Sequence, residues 1–186
     1  MKLELVRAQR ELQESLSQGC IRWTKPESFH LTLKFLGKVA VDWVDELVQS
    51  LRAGCANFPT MQLRAGGIGF FPNARRPRVV WAGVKDQAEM LPKLQRAIEK
   101  SVATFTDEKM EARFIGHVTL GRCPMIKPAQ AELLSNVAAR GIGKRIFGEW
   151  TASEFELIRS ELTPTASHYT TLSVIPLAAD SSLSFA

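Results

Sequence analysis

The chain has 186 residues, 45% of them hydrophobic and 23% charged, an ordinary balance that excludes disordered, collagen-like and coiled-coil classes. Its length suits one domain or two small lobes and leaves little room for a separate module. The net charge of +5 is a mild bias toward anionic partners. Residues 3–16 place Leu5, Leu12 and Leu16 among charges and read as an amphipathic helix ended by Gly19. Residues 21–24 form a short strand stopped by Pro26. Residues 29–36 (FHLTLKFL) alternate apolar and polar, the mark of a strand with one buried face. Phe35, on the face opposite His30, belongs to the core in that reading. Residues 41–55 read as a helix, and 61–64 as a strand. Residues 67–84 form a hairpin whose polar loop carries Arg75 and Arg76, with Arg78 beside it; Phe70, Phe71 and Trp81 read as core more than as stacking platforms for a ligand's bases. A helix over 87–104 follows, with Pro92 in its first turn or breaking it early. Residues 114–122 alternate as a second half-buried strand, and 128–139 are helical. Gly141, Gly143 and Gly148 mark a loop with Lys144 and Arg145, and strands over 154–158 and 169–175 close the chain. This order predicts an α+β fold with antiparallel sheets, not a doubly wound parallel sheet.

The longest apolar runs, such as 79–82, fall far short of the roughly 20 residues a membrane-spanning helix needs. The N-terminal run lacks the basic start, apolar core and cleavage site of a secretory signal. Three cysteines, Cys20, Cys55 and Cys123, are widely spaced and odd in number, so three free thiols in a reducing, cytoplasmic setting are expected. No Cys/His zinc spacing accompanies them.

Two segments match: His30-Leu31-Thr32-Leu33 and His117-Val118-Thr119-Leu120, both H-x-T-Leu on alternating strands. Side chains at i and i+2 of a strand share a face, about 6.5–7 Å apart. His30 and Thr32 therefore share one face, as do His117 and Thr119. Two such strands aimed at one hollow supply two imidazoles, one to take a proton and one to give it. The hydroxyls beside them can donate to a phosphoryl oxygen. Arg122, five residues after His117, offers a fixed charge and a bidentate fork for an anion. One His-x-Thr on an amphipathic strand is usually a half-exposed surface pair; two on matching strands, in a chain with 3 histidines, argue for chemistry. His168-Tyr169-Thr170 is formally a third copy, but it follows a loop-like run, breaks the spacing and reads as a decoy. Arg75, Arg76 and Arg78 are candidate RNA contacts, against the plainer reading of a solvated turn.

These motifs resemble the two-histidine (2H) phosphoesterase superfamily, and within it the RNA 2′,3′-cyclic phosphodiesterases, also called LigT-like or 2′-5′ RNA ligase-like proteins. The resemblance runs through Arg22-Trp23, residues 26–37, Gly69-Phe70-Phe71-Pro72, residues 76–81, residues 114–122, and 154–157 with 159–162. It implies a single bilobal α+β domain over 1–186 with pseudo-twofold symmetry, one H-x-T motif per lobe, two antiparallel sheets lining a central cleft, and helices outside. It implies metal-independent, cofactor-free opening of a 2′,3′-cyclic phosphate on RNA, or on a small cyclic nucleotide, to a 2′-phosphate. His30 would be the general acid and His117 the general base, with Thr32, Thr119 and Arg122 on the phosphate oxygens. A monomer without membrane attachment is expected. The same acid–base pair could run a reversible 2′-5′ ligation, and a non-catalytic RNA- or nucleotide-binding module is a third reading. Two departures stand out. The sequence opens almost directly on the first helix where the family has a short strand before it, which a misplaced start, a shortened sequence or a member without that strand would each produce, and Gly116 stands where proline often precedes the second histidine.

Overall fold

The structure is a computed structural model that describes residues 1–16, 19–162 and 167–179. In chain order it carries α1 (Lys2–Glu14), β1 (Arg22–Trp23), α2 (Val44–Cys55), β2 (Met61–Phe71), β3 (Val79–Asp86), α3 (Met90–Val102), β4 (His117–Arg122), α4 (Pro128–Arg140), β5 (Ile146–Ala152), β6 (Glu154–Leu162) and β7 (Ser167–Pro176). The contacts divide it into two compact units. The first holds residues 1–32, 63–86 and 115–150; the second holds 33–62, 87–114 and 151–186.

The first unit is built on a five-stranded sheet in the order β1-β4-β3-β2-β5. The β1–β4, β4–β3 and β3–β2 pairs are antiparallel. One face of this sheet is apolar: Val80, Ala82 and Val84 of β3, with Val118 and Leu120 of β4, are all buried. Helix α1 buries Leu5, Ala8 and Leu12, and α4 buries Ala131, Leu134 and Ala138, both at the i, i+3, i+7 spacing of one helix face. Each fully buried leucine contributes roughly 1.5–3 kcal/mol relative to exposure. Gln9 interrupts the α1 stripe, and its amide has partners there: Nε2 donates to Thr24 O and to Leu120 O, at 2.8 Å each. A fork from Arg145 to Glu11, at 2.6 and 3.2 Å, links α1 to the start of β5.

The second unit pairs α2 with α3 and carries the antiparallel β6–β7 hairpin. Leu47, Leu51 and Cys55 of α2 and Leu91, Leu94, Ile98 and Val102 of α3 form its core. An ion pair lies inside it. Lys34 Nζ stands 3.2 Å from Glu99 Oε1, and both side chains are almost wholly buried. Lys34 also donates to Lys109 O at 2.6 Å, and Glu111 N donates to Glu99 at 2.8 Å. Desolvation alone would raise the Glu99 carboxyl; the Glu111 N–H and the Lys34 ammonium outweigh it and hold the group below its usual range.

Several sequence expectations need correction here. Residues 29–36 are not a continuous strand; they make a single bridge, Leu31 to Val118. The alternation fails after Thr32 and inverts, with Lys34 turned inward to Glu99 and Phe35 66% exposed, so Phe35 is not core. The glycine-bearing stretch 61–71 is one strand with a bulge at Gly67 (φ +70°), not a strand and a separate hairpin arm. The predicted loop with Lys144 and Arg145 continues into β5, whose edge position tolerates Gly148. No disulfide joins the three cysteines, all of which are buried, and burial pushes the Cys55 and Cys123 thiols up to about 11. His168 lies on β7 opposite Glu161, exposed, in the second unit. Among the described residues no helix is long and apolar enough to cross a membrane.

Candidate active site

The sheet's other face carries both motifs, and strand register locates every side chain on it. Directly opposed residues in an antiparallel ladder project to the same face. The β3–β4 ladder opposes Gly83 to His117, Trp81 to Thr119, and Val79 to Arg122. Strict alternation along β4 would send Arg122 to the face opposite His117. A bulge prevents this, because β4 spends one extra residue, Leu120, between the Trp81 and Val80 pairings. Arg122 thus rejoins the face of His117 and Thr119. Leu120 O is occupied by Thr24 N (2.9 Å) and Gln9 Nε2. The residue after it must be small, since a Cβ on Gly121 would sit 2.7 Å from Ile21 Cγ2.

The free edge of β4 receives two pieces of one chain. Arg22 and Trp23 pair with Arg122 and Gly121. The chain then loops out through a 3-10 turn, Pro26–Ser28, and returns with Leu31 opposite Val118. Continuing that register one residue each way sets His30 opposite Thr119 and Thr32 opposite His117. The result is a square with imidazoles on one diagonal and hydroxyls on the other. Opposed Cβ atoms in such a ladder lie about 4.5–5.5 Å apart and diagonal ones roughly 7–8 Å, enough for two rings to grip one phosphoryl group. All four residues fall in the first unit, whose boundary follows Thr32. The physical reason is the Leu31–Val118 bridge, which ties the first motif to the second.

Both rings are oriented alike. His30 Nδ1 lies 2.8 Å from Ser28 O, and His117 Nδ1 lies 2.7 Å from Ile115 O. A carbonyl only accepts, so each Nδ1 bears a hydrogen and each Nε2 is the atom that exchanges a proton. The surroundings differ. His30 is exposed, whereas His117 is half-buried, with Phe71 edge-on at 5.0 Å and the Trp81 ring at 6.0 Å. Phe71 and Trp81 stack at 5.1 Å, and the indole lies across Gly69, where a Cβ would collide with its six-membered ring. These aromatics, expected as plain core, form a wall of the site. Thr32 and Thr119 are half-buried and Arg122 is exposed. Arg75 and Arg76 sit on the β2–β3 turn, where Asn73 Oδ1 accepts from both of their amides at 3.1 Å, and Arg78 closes that turn by donating to Phe71 O at 2.6 Å. All three are exposed and outside the square. Sequence reading missed Arg22 as a member of the face, because a two-residue strand has no periodicity to reveal its partner.

The arrangement can pass a proton on one side of a tetrahedral phosphorus and remove one on the other, with hydroxyl and guanidinium donors for its non-bridging oxygens.

Comparison with known proteins identifies the family. A family model described as LigT like Phosphoesterase matches residues 2–81. The chain is 31% identical over 159 residues to an RNA 2′,3′-cyclic phosphodiesterase of Methanothermobacter thermautotrophicus, covering 84% of this chain and 83% of that one. It is 33% identical over 156 residues to one of Aeropyrum pernix, covering 82% and 84%. Among solved structures, TT0787 of Thermus thermophilus superposes with a TM-score of 0.75 at 25% identity, covering 95% of this chain and 91% of that one. Escherichia coli LigT complexed with 3′-AMP gives 0.69 at 20% identity, covering 95% and 92%. With both H-x-T motifs on one face and relatives above 30% identity matched over most of their length, this chain belongs to the LigT-like phosphoesterase family of the 2H superfamily.

Proposed function

We propose that the protein hydrolyses 2′,3′-cyclic phosphate ends of RNA to 2′-phosphates. The observation that carries this reading is the square of His30, Thr119, Thr32 and His117, with imidazoles and hydroxyls on alternate corners. The cyclic diester is strained and singly charged, so acid–base catalysis and charge stabilisation suffice without a metal. His117 Nε2 takes a proton from water as its oxygen attacks phosphorus. The P–O3′ bond breaks on the far side, and His30 Nε2 delivers a proton to the departing 3′ oxygen. Thr32, Thr119 and Arg122 hold the non-bridging oxygens. Each well-placed acid or base contributes roughly 10²–10⁴ in rate. The family resemblance supports giving the acid role to His30. The exposed loop arginines Arg75, Arg76 and Arg78 contribute a salt-dependent, sequence-independent attraction to RNA in this reading.

The test is incubation of an oligoribonucleotide bearing a 2′,3′-cyclic end with the protein in EDTA, with phosphate position read by NMR or by nuclease digestion. A 2′-phosphate product is expected, lost by at least about 10³-fold in His30→Ala and in His117→Ala. A 3′-phosphate product, or full activity in either variant, refutes the reading.

A further inference from the structure

Arg22 and Arg122 are directly opposed residues of the β1–β4 ladder, both exposed. Like charges directly opposite one another destabilise a strand pair. The ion pairs of this protein engage neither arginine among the described residues. Two adjacent guanidiniums without a carboxylate are a place for an anion brought from outside. Register also gives their location. The bulge puts Arg122 on the face of the histidines, so its opposed partner Arg22 is on that face too. The Arg22–Arg122 row stands one step from the His30–Thr119 row, roughly 6.5–7 Å along the strands. That is close to one nucleotide step along an extended strand.

The charge balance decides which anion Arg22 takes. A cyclic phosphodiester carries a single negative charge. A protonated His30 and Arg122 already exceed it, so a third cation at the reacting phosphorus gains little. The next phosphodiester toward the 5′ end of an RNA brings its own negative charge, one step away. Resting on the cyclic phosphodiesterase reading, we propose that Arg22 binds the internucleotide phosphate immediately 5′ of the cyclic end. The site then selects oligonucleotide ends over mononucleosides, and Arg22 is a specificity residue rather than a catalytic one.

The experiment compares two substrates with the same reacting group. One is adenosine 2′,3′-cyclic phosphate with a free 5′ hydroxyl. The other is the dinucleotide ApA with a 2′,3′-cyclic end, which adds a single internucleotide phosphate. The full chain is expected to favour the dinucleotide in kcat/KM, mainly through KM. In Arg22→Ala the dinucleotide-to-mononucleoside ratio of kcat/KM falls at least about 10-fold, and Arg22→Lys recovers part of it, since the charge remains but the fork is lost. For the dinucleotide, the slope of log KM against log salt falls by about 0.7, the value for one phosphate contact on a single strand. An unchanged ratio in Arg22→Ala, or equal losses on both substrates, overturns the inference while leaving the cyclic phosphodiesterase reading in place. If the full chain turns over neither substrate, that reading fails and takes the inference with it.

Discussion

Gly69 is the most exacting position in the aromatic wall. Its backbone lies under the Trp81 indole, which also stacks on Phe71 and flanks His117. In Gly69→Ala the new methyl meets three atoms of the indole's six-membered ring, so the ring must move. Overpacking of this kind costs about 1–3 kcal/mol. Gly69 has an ordinary negative φ, so alanine gains back roughly 0.5–1 kcal/mol from the unfolded chain. The net loss is then about 1–2 kcal/mol, or about 4 °C in Tm for a chain of this size. The functional loss is larger. A displaced indole carries the His117 ring with it, and a misplacement of about 1 Å costs on the order of 10²-fold in kcat. Trp81→Phe removes the atoms that collide. It breaks no hydrogen bond, because Trp81 Nε1 has no partner among the described residues. The assay is a double-mutant cycle read by urea unfolding and by kcat on a cyclic-phosphate dinucleotide. The double variant is expected to be more stable than the sum of the singles by about 1–2 kcal/mol and to regain activity relative to Gly69→Ala. Additivity within about 0.3–0.5 kcal/mol refutes the argument, since it means that the methyl and the indole do not compete for one space.

Other outcomes follow from the same geometry. On an aryl phosphodiester, whose leaving group departs without a proton, His30→Ala should retain far more relative activity than His117→Ala; the opposite order would exchange the two roles. His168→Ala, altering an exposed side chain of β7, should keep activity within about twofold, and a well-folded but inactive His168 variant would undo the choice of histidine pair. Glu99→Gln leaves the buried Lys34 ammonium without its counter-charge and should cost about 3 kcal/mol at neutral pH by chemical denaturation. Because the folded state holds the Glu99 carboxyl below its usual range, its contribution is complete above the unfolded value of about 4.3 and is lost as pH falls through the folded value. The stability gap between parent and variant should therefore be flat near neutrality and close in acid; a gap that widens in acid contradicts the ion pair.

The pairing of each histidine with its threonine on one face was legible because strand parity is a local property. His30 with Thr32, and His117 with Thr119, needed only a two-residue period. What the sequence hid were interruptions of that period. Arg122 has the wrong parity for the face of the histidines until the Leu120 bulge is known, and a bulge depends on what the neighbouring strand does. Phe35 was misplaced because the chain leaves β4 after Thr32, so the alternation of 29–36 has no sheet to refer to beyond that point. β5 and the continuity of β2 were masked by glycines, which read as breakers when they are edge and bulge residues. Phe71 and Trp81 carry the same sequence signal whether they fill a core or wall a site. Only their nearness to His117 separates the two.

The way each imidazole is held has a wider consequence. Ser28 O and Ile115 O belong to the same short segments as the rings they steer, two residues upstream in both cases. A steering group made of main chain cannot be lost by changing a side chain, so positions 28 and 115 can drift in identity while the ring above them stays aimed. In both motifs the atom that Nδ1 meets is a main-chain carbonyl, where a serine hydrolase uses a carboxylate. Each five-residue cassette, 28–32 and 115–119, comes with its own compass, and a fold could acquire the reaction by bringing two of them edge to edge.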